Sequence, residues 1–358
     1  MTELSHLVRT GRIVITAGSG GVGKTTTAAV LAMEAARAGR RSVVVTIDPA
    51  KRLADALGLS DGLSNEPRRI EGDWEGELWA MMLDTKSTFD AVVAKHAETP
   101  EQADRIYENR FYRNIAGALS GTQEYMAAEK LYELHEESKF DLVVVDTPPT
   151  RNALDFLDAP ARLARFLDHR LYRLLMAPTR GLVRAVNVAT QAFLRTVSRV
   201  VGSDVLDDAV AFFRAFDGME EGFRDRSAHV GQLLIDTATA FVLVASPRRD
   251  AVAEATYFAE RLAENGIQVQ ALVVNRMHPR FSRRPADRVT QRRDELADTP
   301  LAPMAEALAD FEIAAEREHH HLTDLRDAVH PAPVVQVPIL ESDVHDLDGL
   351  DELATHML

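Results

Sequence analysis

The chain has 358 residues, enough for one large α/β domain or two smaller ones with a substantial buried core. Forty-one Lys and Arg against 55 Asp and Glu leave a formal charge of −14. That balance argues against a general binder of nucleic acid or anionic membrane, although a local basic face stays possible. There is no cysteine, which excludes disulfides, thiolate metal sites and cysteine nucleophiles and suits the cytoplasm.

Residues 1–12 contain no apolar signal core, and no run approaches the ~20 apolar residues that cross a bilayer, so no transmembrane segment is expected. Ile13-Val14-Ile15 has the β-branched character of a buried strand, and Ala28 to Ala38 is helix-forming and nearly free of breakers. The glycine-rich stretch from Ala17 to Thr27 therefore sits at a strand-to-helix turn. Its Gly18-x-x-x-x-Gly23-Lys24-Thr25 spacing is that of a P-loop. There the backbone of Gly20, Gly21, Val22 and Gly23, with Thr26 just beyond, curls around phosphate oxygens. Lys24 neutralises β/γ charge and Thr25 ligates Mg²⁺. An ordinary glycine-rich turn is the competing reading; the flanks on both sides and the motifs further along favour the cradle.

Gly39 is placed to end the helix, and Ser42 to Ile47 reads as a second strand ending at Asp48-Pro49-Ala50. In a βαβ unit the carboxyl ends of parallel strands share one edge, which puts Asp48 on the phosphate side, where it can orient an attacking water. A helix N-cap for Lys51-Arg52-Leu53 is the alternative for Asp48. Gly58 to Gly76 reads as surface loop, Leu78 to Leu83 as a third strand, and 86–137 as mostly helical with a break at Thr99-Pro100. Trp74 and Trp79 read as packing residues. Leu142-Val143-Val144-Val145-Asp146 has the form of a strand whose acid serves a Mg²⁺ shell, followed by the rigid turn Thr147-Pro148-Pro149-Thr150. A strand meeting a capping aspartate is the competing reading there.

Leu154 to Leu234 is a long helical tract. Within it, residues 159–202 carry eight arginines (Arg162, Arg165, Arg170, Arg173, Arg180, Arg184, Arg195 and Arg199) and one acid, Asp168, a balance of +7. Interleaved apolar residues make this a candidate partner-binding face, or equally a core-facing layer with a solvated basic side. Phe241–Ala245 and Val269–Val274 read as strands joined by a helix from Arg249 to Glu264, the second ending at Asn275-Arg276. An amide there can hydrogen-bond an adenine edge. Pro279 to Arg293 reads as a basic linker, and Leu301 to Ala328 as helices broken near Pro303. A last strand at Val334–Val337 precedes Pro338 and an acidic end. His319-His320-His321 cannot all face one way on a helix and is not expected to bind metal. His135-Glu136 lacks a zincin's second histidine, and no G-x-S-x-G elbow occurs.

Taken together, these residues resemble the arsenite-pump ATPase and tail-anchored-protein targeting family, within the deviant-Walker-A class. Gly18–Thr25 looks like its P-loop, Thr46-Ile47-Asp48-Pro49-Ala50 like its first switch, and Asp146-Thr147-Pro148-Pro149-Thr150 like its second. Val274-Asn275-Arg276 and Pro338-Ile339-Leu340 are similar to its adenine-binding segments. The resemblance implies an α/β fold with a mostly parallel, roughly eight-stranded P-loop sheet flanked by helices. It implies one domain over 1–358 with a helical subdomain inserted at 151–235 and a helical segment 86–138 packed nearby. The ligands implied are ATP or ADP with Mg²⁺. Lys24 and Asp48 would be catalytic, Thr25, Asp48 and Asp146 would serve the metal, and Asn275, Arg276, Pro338 and Ile339 the base. It also implies a nucleotide-sandwich dimer, homodimeric or paired with a related ATPase, in the cytoplasm, with a protein client on the helical subdomain and no nucleic acid.

Three departures stand out. The family's lysine one place after the first glycine is Ser19 here, its Gly-His-Thr after the second switch is Arg151-Asn152-Ala153, and its metal-binding cysteines are absent. The expected function is a Mg²⁺-ATP-dependent dimeric switch with slow hydrolysis. The alternative is a weakly hydrolysing or non-hydrolysing scaffold subunit of a heterodimer with a lysine-bearing paralogue.

Overall fold

The computed structural model describes residues 3–48, 50–115, 122–148, 150–168, 203–281 and 286–358. The chain divides into two compact units, one of Met1–Met82, Leu134–Leu154 and Ile235–Leu358, the other of Leu83–Glu133 and Asp155–Leu234.

The first unit holds an eight-stranded sheet: β1 (Ile13–Ala17), β2 (Arg41–Thr46), β3 (Arg68–Ile70), β4 (Glu77–Met82), β5 (Leu142–Asp146), β6 (Thr239–Ala245), β7 (Val269–Met277) and β8 (Val334–Pro338). Their order is β3-β4-β2-β5-β1-β6-β7-β8. Every pairing is parallel except β3 with β4. Strands β1, β5 and β6 are buried along their whole length, which is why they read in sequence as unbroken apolar runs and not as alternating ones. Parallel strands need crossovers, and helices on the faces supply them. After α1 (Glu3–Thr10), helix α2 (Lys24–Arg37) follows β1 and puts eight apolar residues into a core that includes Val14, Val44, Val144 and Val242.

The loop expected over 58–76 contains the short strand β3. Three residues, two of them exposed, give too short a pattern to register as a strand, and antiparallel pairing with β4 holds it at the sheet edge. The linker expected over 279–293 includes most of a helix, Ala286–Glu295, whose mean hydropathy is so low that among its described side chains only Val289 is buried. The helix expected to break near Pro303 runs unbroken from Ala302 to His321, because proline at a helix start loses no hydrogen bond. The break falls at Leu322, before Thr323–Val329. The acidic end forms a helix over Leu347–Met357, capped by Asp346 and packed through Leu350, Leu353 and Met357. Trp74 packs on the core and the Trp79 indole N–H donates to Glu77 at 3.1 Å.

The described residues of the second unit are mostly helical. Helices at Thr85–His96, Pro100–Glu108, Arg110–Ile115, Ser203–Ala215 and Glu220–Ile235 contribute to an aromatic core of Tyr112, Phe212, Phe213, Phe216 and Phe223. Thr99 caps the second of these, which accounts for the Thr99-Pro100 break. Glu129, on the helix Thr122–Glu136, is held by Arg226 at 2.6 Å. The helix Thr150–Asp168 carries Pro160, whose carbonyl accepts from the Ser227 hydroxyl at 2.6 Å. Arg170, Arg173, Arg180, Arg184, Arg195 and Arg199 of the arginine-rich tract lie outside the described residues.

Candidate nucleotide site

Strand β1 has β5 on one side and β6 on the other, so the turn after it opens at the point where the connections diverge to the two halves of the sheet. Ligands of open α/β sheets bind in that crevice. The turn is Gly18 to Gly23. A side chain at Gly18 would place its Cβ 2.0 Å from the Val244 carbonyl oxygen of β6. Gly23 adopts φ 101°, ψ 23° at the N-cap of α2, and a Cβ there would meet the Asn275 amide nitrogen at 2.3 Å. Only glycine suits a left-handed position under such close approach.

The helix then starts at Lys24, whose ammonium is buried and donates to the Ser19 carbonyl at 2.9 Å across the mouth of the turn. Burial lowers the Lys24 pKa, and the Asp146 charge opposes that shift. In the register of the sheet, Thr16, Asp146 and Thr46 form one row across β1, β5 and β2. The Asp146 carboxylate is the hub of this row. Its Oδ2 accepts from Thr25 at 2.7 Å and Thr46 at 2.8 Å, while its Oδ1 is buried with no hydrogen-bond partner among the described residues. Burial raises its pKa, and the two hydroxyls and Lys24 draw it back. A hydroxyl and a carboxylate with a buried, unsatisfied oxygen are hard oxygen donors, and they fit a Mg²⁺ ion beside the phosphates.

Asp48 stands just beyond Thr46. Its backbone N–H reaches the Thr46 hydroxyl at 3.3 Å, its Oδ1 accepts from the Ala50 N–H at 2.9 Å, and its Oδ2 pairs with Arg52 at 3.2 Å. The N-cap of the following helix, Arg52–Ala56, is Lys51 and not Asp48. Thr147 anchors the second switch by donating its hydroxyl to the Thr16 carbonyl at 2.7 Å. Pro49, Pro149 and the side chain of Arg151 lie outside the described residues.

On the other side of the turn, the Asn275 amide donates to the Val22 carbonyl at 3.0 Å, and the exposed Arg276 donates to the Gly21 carbonyl at 3.3 Å from a left-handed φ of 62°. Pro338 pairs with Met277, and the Ile339 N–H donates to the Met277 carbonyl at 2.9 Å, so all four residues expected at the base gather at the ends of β7 and β8. Gly20, Gly21 and Ser19 line a cavity of about 330 Å³ with Arg248, Glu254 and His278. Ser19 is 6% exposed and its hydroxyl has no partner among the described residues.

Sequence reasoning placed Thr46 and Thr147 within the two switch motifs without a role of their own, and gave Arg52 none in the site. Thr46 had a signal: a hydroxyl closing a buried strand two places before Asp48. Arg248, Glu254 and His278 had none, because only the folded sheet brings them beside residues 19–21.

A glycine cradle between a buried strand and a helix, on a parallel sheet with a buried acid at the neighbouring strand end, defines a P-loop nucleotide-binding protein. The sequence pattern of the anion-transporting ATPase family matches residues 11–317, and the chain belongs to that family. It is an ATPase. It is 22% identical over 349 residues to the putative arsenical pump-driving ATPase 1 of Aquifex aeolicus, covering 96% of this chain and 78% of that one. With ATPase GET3 of Chaetomium globosum it shares 27% identity over 270 residues, 75% of this chain and 74% of the other. With an ATPase ASNA1 homolog of Trypanosoma cruzi it shares 25% over 367 residues, 96% and 90% of the two chains. Among the described residues no helix is long and apolar enough to cross a membrane.

Proposed function

We infer that the chain is a Mg²⁺-ATP-dependent switch that works as a cytoplasmic dimer, hydrolyses slowly, and passes its nucleotide state to a protein partner through the helical unit. The observation that carries this reading is the Asp146 carboxylate shared by Thr25 of the cradle and Thr46 of the first switch. The ends of β2 and β5 and the first turn of α2 thus meet on one acid, and a change at the terminal phosphate alters all three together. Gly20 to Gly23 cradle the phosphates, Lys24 neutralises them, and Asp48 orients the attacking water. Asn275, Arg276, Pro338 and Ile339 flank the base. Mg²⁺, held through Thr25 and Asp146 with Asp48 nearby, would offset charge on the β- and γ-phosphates. The helix Thr150–Asp168 follows the second switch directly in sequence, which supports the helical residues as the reporter of that change.

Ser19 favours a second reading in one respect. Its hydroxyl, buried and without a partner among the described residues, gives no charge at a position from which a cation could serve a facing subunit. A weakly hydrolysing scaffold that pairs with a lysine-bearing relative is consistent with that. The test of the shared premise is calorimetry of Mg²⁺-ATP and ADP binding. Wild type binds both and Lys24→Ala loses at least tenfold in affinity; unchanged affinity would place the nucleotide elsewhere.

A further inference from the structure

Strand β7 runs evenly beside β8 until its end, where the pairing jumps from Val274 with Gln336 to Met277 with Pro338, so three steps on one strand oppose two on the other. An extra residue of this kind bends the strand and re-aims its side chains. Arg276 takes up the bend at φ 62°, a left-handed conformation that is unfavourable for a residue with a Cβ. Such strain persists where the neighbours hold it from both sides. On one side the Asn275 Oδ1 accepts from the Arg276 N–H at 2.9 Å. On the other the Met277 carbonyl accepts from the Ile339 N–H at 2.9 Å, and Glu318 takes the His278 N–H at 2.8 Å and its ring at 2.6 Å.

The bend lays both side chains on the cradle. The Asn275 amide donates to the Val22 carbonyl at 3.0 Å and the Arg276 guanidinium to the Gly21 carbonyl at 3.3 Å. A peptide unit is planar and trans, so its N–H points opposite to its C=O. Holding these two carbonyls from the β7 side therefore turns the N–H groups of Val22 and Gly23 away from it, and neither has an acceptor among the described residues. Successive N–H groups aimed together make a nest for an anion. Arg276 also brings charge. Arg248 and His278, in the same cavity of about 330 Å³, each face a carboxylate, Asp250 at 2.8 Å and Glu318 at 2.6 Å. The exposed Arg276 pairs with no acid among the described residues, so its charge stays open to a polyanion in the cradle. We propose that Arg276 is a positioning residue for the phosphates. From outside the turn, with Asn275 beside it, it fixes the peptide planes that present the Val22 and Gly23 N–H groups, and its charge serves the phosphate chain whatever base that chain carries.

This inference rests on the reading of the cradle as an ATP site, and it moves the Arg276 side chain from the base to the phosphates while the backbone of the strand end stays beside the base. The test is calorimetry of the full chain with Mg²⁺-ATP, and competition against it by Mg²⁺-ITP and Mg²⁺-tripolyphosphate. Arg276→Gly keeps the left-handed backbone and removes only the side chain. It should weaken all three ligands by one common factor of roughly fivefold or more, the scale of one charge-assisted hydrogen bond. Arg276→Lys should recover most of that loss, and the melting temperature without nucleotide should not change in either variant. A loss confined to ATP would make Arg276 a base contact and overturn the proposal. So would unchanged affinity for all three, or a common loss that comes with a lower melting temperature and is not relieved in Arg276→Lys. If Lys24→Ala loses ATP while Arg276→Gly does not, the cradle reading stands and the positioning role fails. Wild type that binds none of the three sinks the cradle reading itself.

Discussion

Replacing Asp146 by asparagine should stabilise the nucleotide-free protein while removing its response to Mg²⁺. The carboxylate is buried, both Thr25 and Thr46 donate to the same oxygen, and the other oxygen has no partner among the described residues. An asparagine oxygen has two lone pairs and can keep both threonine bonds, while its amide N–H groups take the unpartnered place of Oδ1, so the variant relieves the buried charge but not the unsatisfied atom. Leaving a buried polar atom unsatisfied costs about 1–3 kcal/mol, more when it is charged. The partial offset is Lys24, which loses the neighbour that favours its charged form. A net gain of about 1–2 kcal/mol is expected at neutral pH, a rise of a few degrees in the melting transition of the sheet unit. The sign with pH follows from the raised pKa. Below the ordinary aspartate value of 3.8 the group is protonated in both states and costs nothing. Between that value and the raised folded-state pKa the cost of the buried charge grows to its full size, so wild type and variant should converge in acid and separate towards neutral pH. Differential scanning calorimetry from acid to neutral pH, with and without Mg²⁺-ATP, reads both effects. A variant less stable than wild type without nucleotide at pH 7 would refute the reasoning, because Asp146 would then be a structural anchor and not a site held ready for a cation.

Gly23→Ala should abolish ATP binding, since it adds a left-handed alanine, at roughly 1–2 kcal/mol, to a clash with Asn275. Asn275→Ala in the same chain removes the clash but not the backbone strain, so the two changes should be non-additive in a thermal-shift cycle; additivity would mean the two residues do not meet. Ser19→Lys should speed single-turnover hydrolysis if a facing subunit lacks a cation at its γ-phosphate, by up to the ~10³–10⁵ available to an arginine finger. An unchanged rate would show that the missing lysine is irrelevant.

The buried strands were legible because parallel strands covered on both faces leave unbroken apolar runs, such as Leu142-Val143-Val144-Val145 and Phe241-Val242-Leu243-Val244-Ala245, and no other element of this length looks like that. The cradle was legible for the same reason: its glycines sit between two unambiguous elements. The short strand Arg68–Ile70 was not, since its place depends on a neighbour and not on its own pattern. The polar helix Ala286–Glu295 was missed because among its described side chains only Val289 is buried, which leaves no periodicity to detect. In the site, Asp48 and Asp146 could be found by their places at strand ends. Thr46 as their shared partner could not, because its role comes from the register that aligns it with Asp146 across the sheet.

The most direct test of the account is to measure ATP binding and single-turnover hydrolysis side by side in wild type and Asp48→Asn. Asp48 is held by the Ala50 N–H and Arg52, both outside the cradle, so the substitution should leave Mg²⁺-ATP affinity within about twofold. If Asp48 orients the attacking water, the rate of the chemical step should fall by ~10²–10⁴, the range of a positioned general base. Equal loss of binding and hydrolysis, or a variant that turns over at the wild-type rate, would contradict the central claim that this strand end carries the chemistry.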